Sequence, residues 1–212
     1  MTGLAFEVLD AHPEPHAAVP TIMFRLRVEE DDGFSIHALA LRCQIRIEPQ
    51  RRPYSADEQE QLYELFGETP QWGDSLRPFL WTHVSTTLGR FGGETEFDLP
   101  VECTYDFDVA AAKYLHGLRD GDIPLVMLFS GTVYTRGASG FSAEPLSWSS
   151  EASYKMPVGV WRSMMDLYFP NSAWIRLRRD TLDDLQRFRA LRGFPTWDQA
   201  FETLLKEAGE DQ

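Results

Sequence analysis

Two cysteines, five histidines and a few short carboxylate and arginine clusters are the residues whose types could do chemistry. Cys43 and Cys103 could form a redox pair or hold a metal as thiolates. A reactive thiol wants an exposed, electropositive position, whereas both fall on the apolar row of an alternating stretch. That pattern predicts buried thiols behaving as small hydrophobes. His12 and His16 in "HPEPH" have HxxxH spacing, which on a helix would turn two imidazoles toward one metal. Pro13 and Pro15 rule out a helix there, so the spacing loses its geometry. His83 in "LWTHVSTT" could be a general base, yet no Ser and Asp are tied to it by a recognised pattern. A strand histidine with a satisfied hydrogen bond is the expectation.

Glu96, Asp98 and Glu102 share one face of a strand, and paired carboxylates can do acid/base work. Nothing apolar flanks them to raise a pKa, so a solvated face is expected. "GRFGG" and "RGASG" lack the strand, GxGxxG, helix order or the GK[ST] ending of phosphate cradles and read as hairpin turns. No catalytic, cofactor-binding or metal residue is therefore assigned. Two arginine groups remain. Arg42, Arg46, Arg51 and Arg52 in "HALALRCQIRIEPQRR" form an exposed basic edge, expected to pair with carboxylates such as Glu48 and to lie at a partner surface. In "WIRLRRDTLDDLQRFRALRGFPTWDQAFETLL" the order strand, helix, turn, helix resembles the ribbon-helix-helix unit of bacterial repressors. Trp174, Arg176 and Arg178 would then be the DNA-contacting side chains. A helical hairpin packed on the rest of the chain or on another subunit is the competing reading.

The elements that position these groups follow from hydrophobic period. Ile22, Phe24, Leu26 and Val28 alternate with polar residues, as do His37, Leu39, Leu41, Cys43, Ile45 and Ile47, and Phe97, Leu99, Val101, Cys103 and Tyr105. Pro100 removes a ladder donor and sends the last of these strands to an edge. "IPLVMLFSGTVYT" is apolar on both faces at its start, as a central strand is. Leu146, Trp148, Ala152, Tyr154 and Met156 form one more row. Ser55 and Glu58 make a capping box for a helix over 55–66. Asp108–Leu118 is a second helical stretch, and Trp161, Met164, Met165 and Tyr168 share a helical face after Pro157. Asp180 is expected to cap a helix closed by Gly193, and Thr196 to open another. The fold class is α+β, a mainly antiparallel β-sandwich with inserted short helices and a C-terminal helical appendage. The division is placed between a sandwich domain over 1–156 and a helical subdomain over 157–212, packed on the sandwich or on a partner subunit.

Composition narrows the function classes. The hydrophobic fraction of 43% and aromatic fraction of 13% suit a chain that buries a core. A net charge of −13 opposes general polyanion binding, because phosphate backbones need a positive footprint, and it favours a basic or neutral partner. Residues 171–212 carry six Arg and one Lys against eight Asp and Glu, net −1, so the DNA-reading tail is itself slightly acidic. No signal peptide or apolar span is seen, and a cytoplasmic protein with reduced thiols is expected.

"LRCQIRIEPQRRPYS", "LRPFLWTHVSTT", "CTYDFDVAAAKYLHGL", "LFSGTVYTRG" and "FPNSAWIRLRRDTLDDLQRF" together resemble an uncharacterised family of actinobacterial proteins, a domain of unknown function. Its genes lie beside those of actinobacterial-type nickel–iron hydrogenases. The resemblance runs over nearly the whole chain. It implies an accessory role in hydrogenase maturation or function and transfers no catalytic residue. The expected protein is a non-enzymatic, chaperone-like interaction factor without a cofactor. Its partner would be a hydrogenase subunit or maturation factor, with homo-oligomer formation also open. A DNA-binding regulator and an enzyme with an unrecognised site are the alternatives.

Overall fold

A computed structural model describes residues 3–30, 33, 35–104, 106, 109–137, 140–147, 149–172 and 175–210. Alternating stretches become the strands β1 (Leu4–Pro13), β2 (Thr21–Glu30), β3 (Ser35–Ile47), β4 (Phe79–Leu88) and β5 (Phe91–Gly92). They continue as β6 (Glu94–Glu102), β7 (Asp122–Gly137), β8 (Gly140–Pro145) and β9 (Glu151–Pro157). One sheet has the order β1-β2-β6, which puts Pro100 on an edge strand as its missing amide requires. The other has the order β4-β3-β7-β8, with β5 paired to the start of β3 and β9 to the first half of β7. All pairings are antiparallel.

The inner faces of the two sheets meet as a sandwich. Phe6 stacks on Phe129 at 4.1 Å, and Phe24 meets Trp81 and Tyr154 edge-on, each at 6.2 Å. Ile22, Phe24, Leu26 and Val28 from β2 and Leu39, Leu41, Cys43, Ile45 and Ile47 from β3 are buried, as the period-two rows predict. Each such aliphatic or aromatic side chain contributes about 1.5–3 kcal/mol of burial. His37 departs from its row. The β3–β7 register shifts between Ile36 and Ala38, and the extra residue reverses parity. Ile36 is therefore buried and His37 exposed, its ring 4.9 Å from that of Phe141.

Helices close one end of this sandwich. The Ser55/Glu58 capping box forms and starts α1 (Ala56–Gln61), but the 55–66 helix is broken at Leu62, and α2 (Tyr63–Phe66) follows. Then come α3 (Trp72–Ser75), α4 (Ala110–Gly117) and α5 (Val158–Tyr168). Tyr114 of α4 meets Phe79 of β4 at 5.5 Å. Trp161, Met164 and Met165 of α5 are buried, and Tyr168 Oη donates to the carbonyls of Glu14 and Ala17 at 2.6 and 3.2 Å. Among the described residues no helix is long and apolar enough to cross a membrane.

Two compact units divide the chain, Met1–Trp174 and Ile175–Gln212. The sequence places the division after residue 156. The α5 helix, whose apolar face packs against β1, β2 and β9, belongs with the first unit. The second unit is a hairpin of α6 (Arg179–Arg192) and α7 (Trp197–Glu210). Gly193 closes α6 in the left-handed conformation, and Thr196 Oγ1 accepts from the Gln199 amide at the start of α7. The N-cap of α6 is Arg178 rather than Asp180, and it makes no side-chain capping bond.

Candidate interaction surface

Arg42 and Arg46 stand on the outer face of β3 with Gln44 between them, because alternation sends Leu41, Cys43, Ile45 and Ile47 into the core. Arg42 lies opposite Ser85 of β4 and Ser130 of β7, and Gln44 lies opposite His83 and Leu128. Around Arg42 the neighbours are short. A shallow depression of about 400 Å³ runs over Ala40, Arg42, Ser85, Thr87, Gly131 and Thr132. Larger apolar side chains border the same sheet, with Leu80, Tyr134 and Phe141 exposed and the Arg136 guanidinium 5.5 Å from the Phe141 ring.

The charges on the two outer faces differ in kind. On the three-stranded sheet Arg25 pairs with Asp98 at 2.9 Å and Glu96 at 3.2 Å, and Arg27 with Glu96 at 3.1 Å and Glu7 at 3.4 Å. These cross-strand ladders neutralise both arginines, and side-chain hydrogen bonds from Arg27 and Arg25 hold the Glu96 carboxyl below its usual range. A general acid needs the opposite shift. Arg42 and Arg46 have no carboxylate within ion-pair distance among the described residues. Glu48, the carboxylate expected to pair with this basic edge, does so through Arg51, whose Nε lies 2.8 Å away.

Arg51 is an exposed member of the basic edge, but Arg52 is not. Its side chain is 7% exposed, and Nη2 sits 2.8 Å from Glu58 Oε1, itself 4% exposed. Nη2 also donates to the Asp120 carbonyl at 2.9 Å, and the guanidinium lies 5.0 Å from the Tyr54 ring centre. Glu58 accepts further from the amides of Ser55 at 3.0 Å and Arg119 at 2.8 Å. Burial pushes its carboxyl up, while those two amides and the Arg52 charge outweigh it and leave the pKa lowered. Beside them Tyr54 and Tyr114 share a 2.8 Å hydroxyl contact, and burial pushes the Tyr114 hydroxyl up to about 12. Arg52 is thus a structural cation; the sequence pointed to Glu58 only as a helix cap, and to Tyr54 and Tyr114 not at all. The capping box was the available signal, since it fixes where the Glu58 carboxylate sits.

Cys43 and Cys103 are free and buried, and burial raises each thiol to about 12. His12, near the end of β1, has Nδ1 3.4 Å from Asp10 Oδ2, and His16 follows in the turn after β1, where its backbone amide donates to Glu14, so the pair lies on no helix. His83 is exposed on β4. Among the described residues no group of three or more His, Cys, Asp or Glu could hold a metal ion. In the tail, Trp174 lies outside the described residues. Ile175–Arg178, expected as a strand, form none, because among the described residues no strand pairs with them. Arg176 and Arg178 are exposed.

A family model described as "Family of unknown function (DUF6084)" matches residues 1–212. No curated protein matches the chain. Similar solved structures include a putative late embryogenesis abundant (LEA) protein, with 14% identity over 73% of this chain and 71% of that one, at a TM-score of 0.31. A β-glucosidase from Kluyveromyces marxianus gives 10% identity over 73% of this chain and 15% of its own, at a TM-score of 0.28. β-Glucosidase 3B from Thermotoga neapolitana gives 14% identity over 73% and 17%, at 0.27. The chain thus spans less than a fifth of either β-glucosidase, and no residue role transfers from any of these structures.

Proposed function

We propose, from the premise that this chain belongs to the DUF6084 family of unknown function, that it is a non-enzymatic accessory protein docking a protein partner through the outer face of its six-stranded sheet. One contrast carries the reading. Arginines on the three-stranded sheet are neutralised by cross-strand carboxylates, whereas Arg42 and Arg46 on the outer face of β3 have none within ion-pair distance among the described residues. An exposed pair of this kind contributes little to stability, about 0–1 kcal/mol even when its partner is present. Unpaired guanidiniums beside exposed Leu80 and Tyr134 are the mixed polar and apolar composition of an interface, with Arg and Tyr the residue types enriched there.

The partner presents carboxylates to Arg42 and Arg46. The resemblance drawn from the sequence supplies its identity: a subunit or maturation factor of a nickel–iron hydrogenase, met in the cytoplasm. Affinity purification from the native host should recover such a protein with the wild-type chain. Arg42→Glu/Arg46→Glu should abolish recovery without changing thermal stability. Undiminished recovery with the charge-reversed protein would remove this face from the interaction, and repeated recovery of unrelated proteins would remove the hydrogenase partner.

A further inference from the structure

We propose that the cleft between α4 and α5 is a binding site for a small oxyanion, a phosphate or carboxylate group free in solution or carried on a metabolite. The cleft has a volume of about 400 Å³ and is lined by Leu115, His116, Arg119, Trp161, Arg162 and Asp166. That size falls within the range of small-molecule sites. Leu115 and Trp161 are buried and form an apolar floor. Two guanidiniums and an imidazole converge above it from three elements: the end of α4, the segment after it, and α5.

Neither guanidinium is neutralised. Among the described residues no carboxylate lies within ion-pair distance of Arg119 or Arg162, although Asp166 is one helical turn from Arg162 on α5. Arg162 Nη1 donates to the Arg119 carbonyl at 3.1 Å, which leaves the rest of its fork to bind. The same backbone is fastened on every side. The Arg119 amide donates to Glu58 at 2.8 Å, the Asp120 carbonyl accepts from Arg52, and the Gly121 carbonyl accepts from the Val158 amide at 2.8 Å. Arg119 is therefore presented from a rigid segment, and the ordering cost of a charged loop closing on a ligand is largely absent.

The helix macrodipole accounts for only part of this arrangement. A basic residue in the last turn of α4 is favoured by the carbonyl end, which covers His116. Arg162 comes from the second turn of a different helix and gains nothing there. The mutual effect of the charges is repulsive. Burial and then the Arg119 and Arg162 charges lower the His116 pKa. Asp166 is not among the causes of that shift. An oxyanion between the two forks would accept charge-assisted hydrogen bonds and remove the repulsion. The site lies on elements other than those bearing Arg42 and Arg46, so either proposal can fail alone.

The test follows the His116 ring by NMR in the full chain while inorganic phosphate or succinate is added, with sodium chloride at matched ionic strength as control. Saturable shifts with phosphate, succinate or both, together with a rise in the ring's titration midpoint, are expected. The identity of the effective anion sets the ligand class. Arg119→Gln and Arg162→Gln should each weaken binding by about tenfold or more. Asp166→Asn, which removes the carboxylate that lines the cleft, should strengthen it. If loss of the Arg162 hydrogen bond unfolds that variant, Arg119→Gln carries the test, since its side chain holds nothing else in place. Shifts equal to those from chloride, or binding unchanged in Arg119→Gln, would overturn the proposal.

Discussion

Glu58 is the residue on which most of the helical end of the sandwich depends. One carboxylate completes the capping box of α1, neutralises a buried guanidinium and anchors the Arg119 amide from sixty residues away. Removing one partner of a buried pair leaves the other charge desolvated, which costs about 3–5 kcal/mol. Glu58→Gln should therefore lose roughly 3 kcal/mol at neutral pH, read from urea unfolding. The pH dependence has a definite sign. The folded pKa is lowered from 4.5, so the contribution is complete above about 4.5 and is lost as the pH falls through the folded value. The stability gap between wild type and Glu58→Gln should accordingly narrow under acid. A gap that stays constant from neutral pH down to acid unfolding would show that the carboxylate's charge contributes nothing.

Among the elements, β7 depends most tightly on one side chain being absent. Gly131 lies opposite Leu41 in the ladder, and a Cβ built there would sit 2.1 Å from the Ala40 carbonyl oxygen. Two strands at the centre of the larger sheet would have to separate, so Gly131→Ala should destabilise by about 3 kcal/mol. Gly159→Ala in α5 meets nothing within 4 Å and should stabilise by up to about 1 kcal/mol, a contrast that thermal unfolding of the two variants measures. A neutral Gly131→Ala would mean that the strands adjust freely at this point. The same elements show which parts of the fold could be read in the sequence. The rows of β2 and β3 were legible because burial of one face enforces period two over many residues. The bulge that turns His37 outward was not, since a single inserted residue leaves no mark on the residue types around it. Arg42 was readable as outward by parity, whereas the burial of Arg52 depends on Asp120, nearly seventy residues further along the chain. Over Ile175–Arg178 the expected strand failed for a related reason. A strand needs a second one to pair with, and local alternation cannot supply it.

At the scale of the molecule, the two units differ in how much apolar surface each retires by itself. The first has a continuous core drawn from both sheets, α4 and α5. The second, Ile175–Gln212, is shorter than the roughly 40 residues below which a domain seldom folds unaided. Its α6 buries no residue, and Leu191 and Leu205 are 82% and 73% exposed. Within the hairpin Arg192 lies 3.1 Å from Glu207, Arg189 stands over the Trp197 ring at 4.3 Å, and Trp197 stacks on Phe201. Exposed ion pairs of this kind contribute about 0.2–1 kcal/mol, too little against the cost of ordering two helices of this length. The units should therefore behave differently when separated. A protein ending at residue 174 should keep its β-rich circular dichroism and a cooperative thermal transition. A peptide of residues 175–212 should be mostly unfolded and gain helix only in trifluoroethanol. Loss of cooperativity in the first, or a stable helical hairpin in the second, would reverse the assignment of the chain's stability to the sandwich and its capping helices.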